Sequence, residues 1–328
     1  MPSTDTTARP TLLADIGGTN TRVALARGGK IDHASIRRYA NEGRTGLGPI
    51  LTDYLHEAAI RDCAGASIAV AGPVQDGVAE MTNLDWVITP DDVRAVTGSR
   101  TVAILNDLQA QGHALDSLTG DSLRRVLPGA ATPRPGARLV IGVGTGFNAA
   151  PVHRSPGGIL VAASECGHES LPVQSADEVR LAAHVALVHG FAGVEDVLSG
   201  RGLARLYGWC AAEAGTVADL TAAEVMTLIE AGTDAPAGRA AQMFLTLLGR
   251  VAGDLALVHL PFEGIYLVGG VARAFTPYLG QGAFAAAFRD KGRFSSFMDD
   301  FPLSVIEDDY AALQGCAHHL EQVLARQG

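Results

Sequence analysis

Three times along this chain a run of apolar, strand-forming residues stops at glycine: "LLADIGGTNTRVAL" at residues 12–25, "RLVIGVGTGFNAAPV" at 138–152 and "GIYLVGGVARAF" at 264–275. Each predicts a strand ending in a turn where bare backbone can approach a ligand and offer amide hydrogens to phosphate. Any one is weak evidence, since a hairpin turn uses the same residues, and for the first stretch alone a plain turn and a phosphate site stand level. Three in order say more. The first also has a feature that a hairpin does not ask for: Asp15 stands at the end of the strand that leads into the turn. A tight hairpin wants Gly and Asn for positive φ, but it has no use for a carboxylate there.

Between the turns the pattern is α/β. Residues 11–39 read as an antiparallel meander, "TLLADI", "TRVALAR" and "HASIRRY". A helix follows around "LGPILTDYLHEAAIRD", then a strand "ASIAVAGPV", a short helix after "TPDDV", a strand "TVAILN" and a helix from Asp107. The Pro- and Gly-rich "PGAATPRPGAR" near residue 130 marks a boundary or exposed loop, and beyond it the second turn echoes the first, as two halves built on one motif would. Residues 176–260 predict helices, and the chain closes with a strand "PLSVI" and a helix "YAALQGCAHHLEQVLA".

Composition narrows the ligand. The 328 residues are 47% hydrophobic and 18% charged, with a formal net charge of -10, which gives no electrostatic footprint for nucleic acid or an anionic membrane. An anionic ligand must therefore be held locally, by backbone amides, a metal or a few side chains. The first residues lack the apolar core of a secretory signal and no apolar run reads as long enough to cross a bilayer, so a cytoplasmic protein is expected. Four scattered cysteines without a C-x-x-C pair predict reduced, buried thiols. The G-x-x-x-x-G-K-[ST] phosphate loop is absent, and Phe147 occupies the place of the last glycine that G-x-G-x-x-G requires.

In order along the chain, "ADIGGTN", "TNLDW", "LND" before a helix, "GTG", "E-x-G-H" and "LVGG" resemble the bacterial glucokinase family, within the actin and hexokinase superfamily, from about residue 11 to about residue 326. The resemblance implies two actin-like, ribonuclease H-like α/β domains with mixed sheets flanked by helices and a cleft between them. The smaller would span residues 1–117 plus 304–328, and the larger 118–303. It implies ATP-dependent phosphorylation of the 6-hydroxyl of D-glucose, with ATP and Mg²⁺ as cofactors, no nucleic acid or membrane partner, and a homodimer. Three alternatives stay open: a sugar-binding or regulatory protein of the same fold with weak or lost turnover, a kinase for another hexose, and a donor other than ATP. A related DNA-binding repressor would need a helix-turn-helix, for which the ten residues before the first strand leave no room.

By that resemblance Asp15, Gly17, Gly18, Thr19 and Asn20 form a first phosphate loop, the acid orienting Mg²⁺ through water. Asn106 and Asp107 on their own read as a helix cap; the resemblance makes Asp107 the general base and Asn106 a sugar ligand. Glu165 and His168, joined by Glu195, are implied sugar-hydroxyl ligands. From the residues alone, a polar surface loop or a metal site with Cys166 is also open for the first two, and Glu195 with Asp196 would equally suit a helix dipole. Gly144, Thr145 and Gly146 are the implied second phosphate loop, and Gly269 with Gly270 would pass beneath adenosine. Asn83 and Trp86 read as structural, His318 and His319 as surface or packing residues. Ser164 and Cys166 flank Glu165 where the family tends toward glycine, and two further residues depart from the family pattern, which after "GTG" continues with an aliphatic residue and glycine. Asn148 is expected to take the left-handed backbone of that glycine, and Phe147 either crowds the site or packs beneath its strand.

Overall fold

The computed structural model describes residues 9–81, 84–132 and 134–327, so Asn83 lies outside the described residues. Contacts divide the chain into two units. One takes residues through Leu118, Ser155–Val161 and Asp308 onward; the other takes Thr119–Arg154 and Ala162–Glu307.

In the first unit, β1 (Thr11–Ile16), β2 (Asn20–Arg27) and β3 (Lys30–Ala40) form the expected antiparallel meander, followed by α1 (Leu47–Glu57) and β4 (Gly65–Val70). The short strands β5 (Val74–Gln75), β6 (Val78–Glu80) and β7 (Val87–Ile88) make a small separate sheet. Then come α2 (Pro90–Thr97), β8 (Thr101–Asn106) and α3 (Asp107–Ala114). The main sheet runs β3-β2-β1-β4-β8, with β1, β4 and β8 parallel. Side chains alternate across it. Leu12, Ala14 and Ile16 join Ile50 and Tyr54 of α1 in one core, while Leu13 joins Ala69, Leu105, Ala110 and Leu313 on the other face. The period of two puts Asp15 on the Leu13 side. Helix α2 is bounded as its sequence dictates: Thr89 accepts from the Asp92 N–H at 3.1 Å, Pro90 is the first helical residue, and Gly98 closes it at φ 65°.

The second unit holds β9 (Leu123–Leu127), β10 (Arg138–Val143) and β11 (Phe147–Ser155); the adjoining β12 (Gly158–Val161) packs with the first unit. Helices α4 (Ala176–His189), α5 (Val194–Val197), α6 (Gly200–Glu213), α7 (Ala222–Ala231) and α8 (Ala235–His259) follow, as the apolar spacing predicts. Next are β13 (Gly264–Val268), α9 (Gly270–Leu279), α10 (Ala283–Arg289) and β14 (Leu303–Ile306), while α11 (Ala311–Ala325) returns to the first unit. The sheet runs β11-β10-β13-β14-β9 through this unit, with β10, β13 and β14 parallel. Phe244 of α8 stacks on Phe275 of α9 with centroids 4.8 Å apart, at the centre of its core. Beneath α8 a buried ion pair, Arg250 to Glu178, is bidentate at 3.0 and 3.3 Å.

Two boundaries differ from the sequence reading. Strand β14 pairs with β13 and β9 of the second unit, so the C-terminal return begins at Asp308 and not at residue 304. Residues 155–161, which the sequence reading keeps in the larger domain, pack with the first unit, where the Gln109 side chain donates to the Val161 carbonyl at 3.1 Å. The membrane reading also needs amending: among the described residues α8 is long and apolar enough to cross a bilayer, but 67% of its most apolar stretch is buried in the fold.

Candidate active site

The first glycine turn joins β1 to β2. The Gly17 N–H donates to the Asn20 carbonyl at 3.0 Å, and neither Gly17 nor Asn20 uses the left-handed backbone expected of a hairpin. Its shape is held instead by Asn41, which is 2% exposed at the end of β3. The Asn41 amide donates to the Gly17 carbonyl at 2.8 Å and accepts from the Thr21 hydroxyl at 2.7 Å, and its backbone N–H reaches the Thr19 carbonyl at 2.9 Å. Gly18 and Thr19 remain exposed at the tip. Asp15 sits opposite Arg22 in the β1–β2 register, and the two pair at 3.2 Å. Burial raises the Asp15 pKa, and the guanidinium beside it works in the other direction.

Two strands from β1 the same sheet presents a second acid. In register Asp15, Ala69 and Leu105 form one row across β1, β4 and β8, and Ile16, Val70 and Asn106 the next. Asp15 is the penultimate residue of β1 and Asp107 follows the last residue of β8, so both acids stand at the carboxyl ends of parallel strands that lie two strand spacings, about 10 Å, apart, which is where open α/β sheets bind ligands. Asn106 is the N-cap of α3. Its Oδ1 accepts from the Leu108 N–H at 2.9 Å, Gln109 completes a capping box, and its Nδ2 donates to the Gly72 carbonyl at 3.1 Å. Asp107 opens the helix with Oδ1 on the Leu108 N–H, also at 2.9 Å. The capping reading is thus real, and it fixes Asp107 at the rim of the sheet.

In the second unit the turn Gly144–Gly146 joins β10 to β11, with Thr145 exposed. Here the acids come from far away in sequence. Glu195 of α5 accepts from the Phe147 N–H at 2.8 Å, while the neighbouring Asp196 accepts from the Gly193 N–H at 3.0 Å. The two carboxylates that the sequence leaves equivalent therefore divide the work, one reaching the glycine turn and one capping the helix. Glu165 and His168 bracket a single 3₁₀ turn, the His168 N–H donating to the Glu165 carbonyl at 3.0 Å. That turn is docked onto the start of α5 by the Val194 N–H on the Glu169 carbonyl at 3.0 Å and a bridge between Ser170 and Gly193. A side chain at Gly167 would overlap the Phe147 carbonyl, so the close approach requires glycine. Glu165, His168, Glu195 and the second glycine turn are in this way brought together.

Phe147 packs inward, 3% exposed among the core residues of its unit, and leaves the turn uncrowded. Asn148 corrects its expectation: it is extended in β11, opposite Gly142, because its side chain bonds to residues 164–166 and pulls the backbone into the strand. Cys166 is buried and its thiol is pushed up to about 11 by desolvation, which argues against the Cys166–His168 metal reading.

The third glycine turn lies beside the second, since β10 and β13 are parallel neighbours. Gly269 has φ 110°, and a Cβ there would strike the Val143 carbonyl. Around this junction a pocket of about 770 Å³ is lined by Gly144, Thr145, Arg201, Thr227, Glu230 and Gly270, among others. Its size suits a nucleoside. Sequence reasoning missed Arg22, Asn41, Arg201 and Glu230, none of which stands in a motif; only strand register and helix packing bring them in.

Among the described residues no cluster of three His, Cys, Asp or Glu could cage a metal. A one-carboxylate site fits Mg²⁺, which keeps its waters and takes further ligands from phosphate. Asp15 offers the single carboxyl group that such a site needs, beside the Arg22 guanidinium that offsets the effect of burial on it.

The Glucokinase family profile matches residues 12–323. The chain is 36% identical over 321 residues to a glucokinase of Chromobacterium violaceum, covering 97% of this chain and 91% of that one. It is 36% identical over 330 residues to one of Mesorhizobium japonicum, covering 97% and 94%. Among solved structures, the glucokinase of an Antarctic psychrotroph superposes with a TM-score of 0.81 at 29% identity, covering 95% of this chain and 98% of the other.

Proposed function

The chain belongs to the glucokinase family, and from that premise we propose that it transfers the γ-phosphoryl group of ATP to the 6-hydroxyl of D-glucose. The observation that carries the assignment of residues is the pair of acids, Asp15 and Asp107, at the carboxyl ends of parallel strands of one sheet. Asp107 accepts the proton of the sugar hydroxyl as its oxygen bonds to phosphorus and the bond from phosphorus to the β-phosphate oxygen breaks, releasing ADP. Asn106 keeps Asp107 in place through the cap and offers its remaining amide hydrogen to the sugar. Asp15 would hold Mg²⁺, and the chemistry that the ion would supply when bound is neutralisation of the charge on the phosphates.

The glycine turns Gly17, Gly18, Thr19 and Asn20, and Gly144, Thr145 and Gly146, each offer backbone amides and a threonine hydroxyl to phosphate. Gly269 and Gly270 pass beneath the adenosine, in the pocket that Thr227 and Glu230 also line. Glu165, His168 and Glu195 read the sugar hydroxyls; a site built to hydrogen-bond hydroxyls rejects an epimer by leaving its own groups unpaired. The same reading carries a cytoplasmic homodimer, which analytical ultracentrifugation of the purified chain checks.

The test is an ADP-release assay over a hexose panel with Mg²⁺ and ATP. Glucose is expected to give the highest kcat/KM, and Asp107→Asn to lower kcat by about 10²–10⁴-fold while glucose still binds. Binding of glucose without ADP release by the unaltered protein would sink the kinase reading, and wild-type turnover in Asp107→Asn would remove the base assignment.

A further inference from the structure

Asn148 departs from its family's pattern, and the roles above leave it without one. Its amide makes every hydrogen bond that it can. Nδ2 donates to the Ser164 carbonyl at 2.6 Å and to Glu165 Oε2 at 3.1 Å. Oδ1 accepts from the backbone N–H groups of Ala149 at 2.8 Å and Cys166 at 3.2 Å, while the Ser164 hydroxyl, 3.2 Å away, has its shorter bond to the Ala149 carbonyl at 2.7 Å. The orientation of the amide follows from chemistry, because a backbone N–H can only donate. The oxygen must therefore face Ala149 and Cys166, which turns the NH₂ group toward Glu165.

We infer that Asn148 is a positioning residue for sugar recognition: it holds one oxygen of Glu165 and leaves the other, Oε1, as an acceptor of fixed direction. This rests on the reading that Glu165 binds the sugar. A carboxylate free to rotate accepts from hydroxyls in several directions, and so tolerates epimers; one whose second oxygen is tethered accepts along one. Ser164 and Cys166, which flank Glu165, are part of the same device, since both bond to the Asn148 amide and seat it.

A purely structural role for Asn148 would run through Oδ1 and through the Nδ2 bond to the Ser164 carbonyl, which together tie the 164–166 segment to β11. Asn148→Asp keeps the acceptor on the Cys166 N–H and replaces the donor beside both the Ser164 carbonyl and Glu165 with an anion, so stability and glucose recognition are read separately, the first by the melting temperature and the KM for ATP, the second by the KM for glucose. The expected result is a 10–100-fold rise in the KM for glucose, the size of a lost hydrogen bond to a charged group, with the KM for ATP within twofold of the unaltered protein even as loss of the Ser164 bond lowers the melting temperature. Preference for glucose over its epimers should narrow in Asn148→Ala, where Glu165 is untethered. In the double variant Asn148→Asp with Glu165→Gln, the Gln amide can donate to the new carboxylate, so Glu165→Gln should cost at least tenfold less in that background than alone.

An Asn148→Asp protein with unchanged glucose KM overturns the inference. So does one in which the KM values for glucose and ATP rise by the same factor, because that is the signature of a structural role. Glucose titration calorimetry on the unaltered protein separates this failure from that of the functional reading. A protein that neither binds nor phosphorylates glucose loses both, whereas one that turns glucose over and ignores Asn148→Asp loses only the tether.

Discussion

The two glycine turns that echo each other in sequence are finished by opposite means. The first carries its acid with it: Asp15 is two residues before Gly17, on the strand itself, and its counter-charge Arg22 is fixed by hairpin register. The second has no acid within its strands. Glu165 and Glu195 are delivered to it by a 3₁₀ turn and a short helix, and Asn148 and the Phe147 N–H receive them. Charge near the first turn is thus a property of one hairpin, while charge near the second depends on three segments staying docked. The first arrangement suits a fixed electrostatic task, and the second a recognition task that can be retuned by moving a loop.

The sharpest way to break this contrast is to neutralise one acid on each side. Asp15→Asn should lower kcat by about 10²–10³-fold, the range for losing one preorganised electrostatic group, with glucose affinity unchanged by calorimetry. Glu165→Gln should do the converse, raising the glucose KM more than it lowers kcat. If both variants act on the same parameter, the division of labour is wrong. Asn41→Ala comes next in size. It removes a buried clamp and leaves the Thr21 hydroxyl and Gly17 carbonyl without a partner, which should cost about 1–3 kcal/mol of stability and raise the KM for ATP. Denaturant unfolding and steady-state kinetics measure the two, and an unaltered ATP KM would show that the first turn needs no clamp.

The smallest effect sharpens the comparison through pH. Burial, with His319, His318 and Arg326 nearby, pushes His113 of α3 down to about 3. An unfolded imidazole titrates near 6.5, so between these values the unfolded chain binds more protons. First-unit stability should therefore fall as pH drops below about 6.5, by up to about 1.4 kcal/mol per pH unit. In the second unit, burial acts to raise the Glu178 pKa, but Arg250 and the Gln174 and Ser175 amides outweigh it and hold the group below its usual 4.5. That contribution is full above about 4.5 and is lost only as pH falls further. Hydrogen exchange at pH 5.5 against pH 7, corrected for intrinsic rates, should show α3 and α11 losing protection while α4 and α8 keep theirs. Equal loss in both would remove His113 as the acid-sensitive element.

Where function is local, the sequence made it readable. The meander, the glycine turns and the start of α3 follow from alternation, turn residues and caps within a few positions of each other. What could not be read depends on partners far along the chain. Asn148 looks like a substitute for a left-handed glycine until Ser164 and Glu165 are brought against it, and then the extended conformation satisfies more hydrogen bonds. Asn41 follows a strand with no motif around it, so nothing local marks it as the clamp of the first turn. The sequence reading began the return to the first unit at residue 304, inside the strand "PLSVI". Its place depends on pairing with β13 and β9, and spacing carries no trace of that.

The route of the chain also sets an order of assembly. The second unit lies within 119–307, whereas the sheet face carrying Leu13, Ala69 and Leu105 waits for α11 to cover it. That helix seats tightly on α3: a side chain at Gly315 would overlap the Ala110 carbonyl. During synthesis, which proceeds from the N-terminus, the second unit can be complete while the first still exposes apolar surface beside α3. Asp107 thus acquires its final support only when the last segment is in place, so a chain truncated before residue 311 would hold every segment of the second unit while the face of the first unit's sheet beside α3 stayed uncovered.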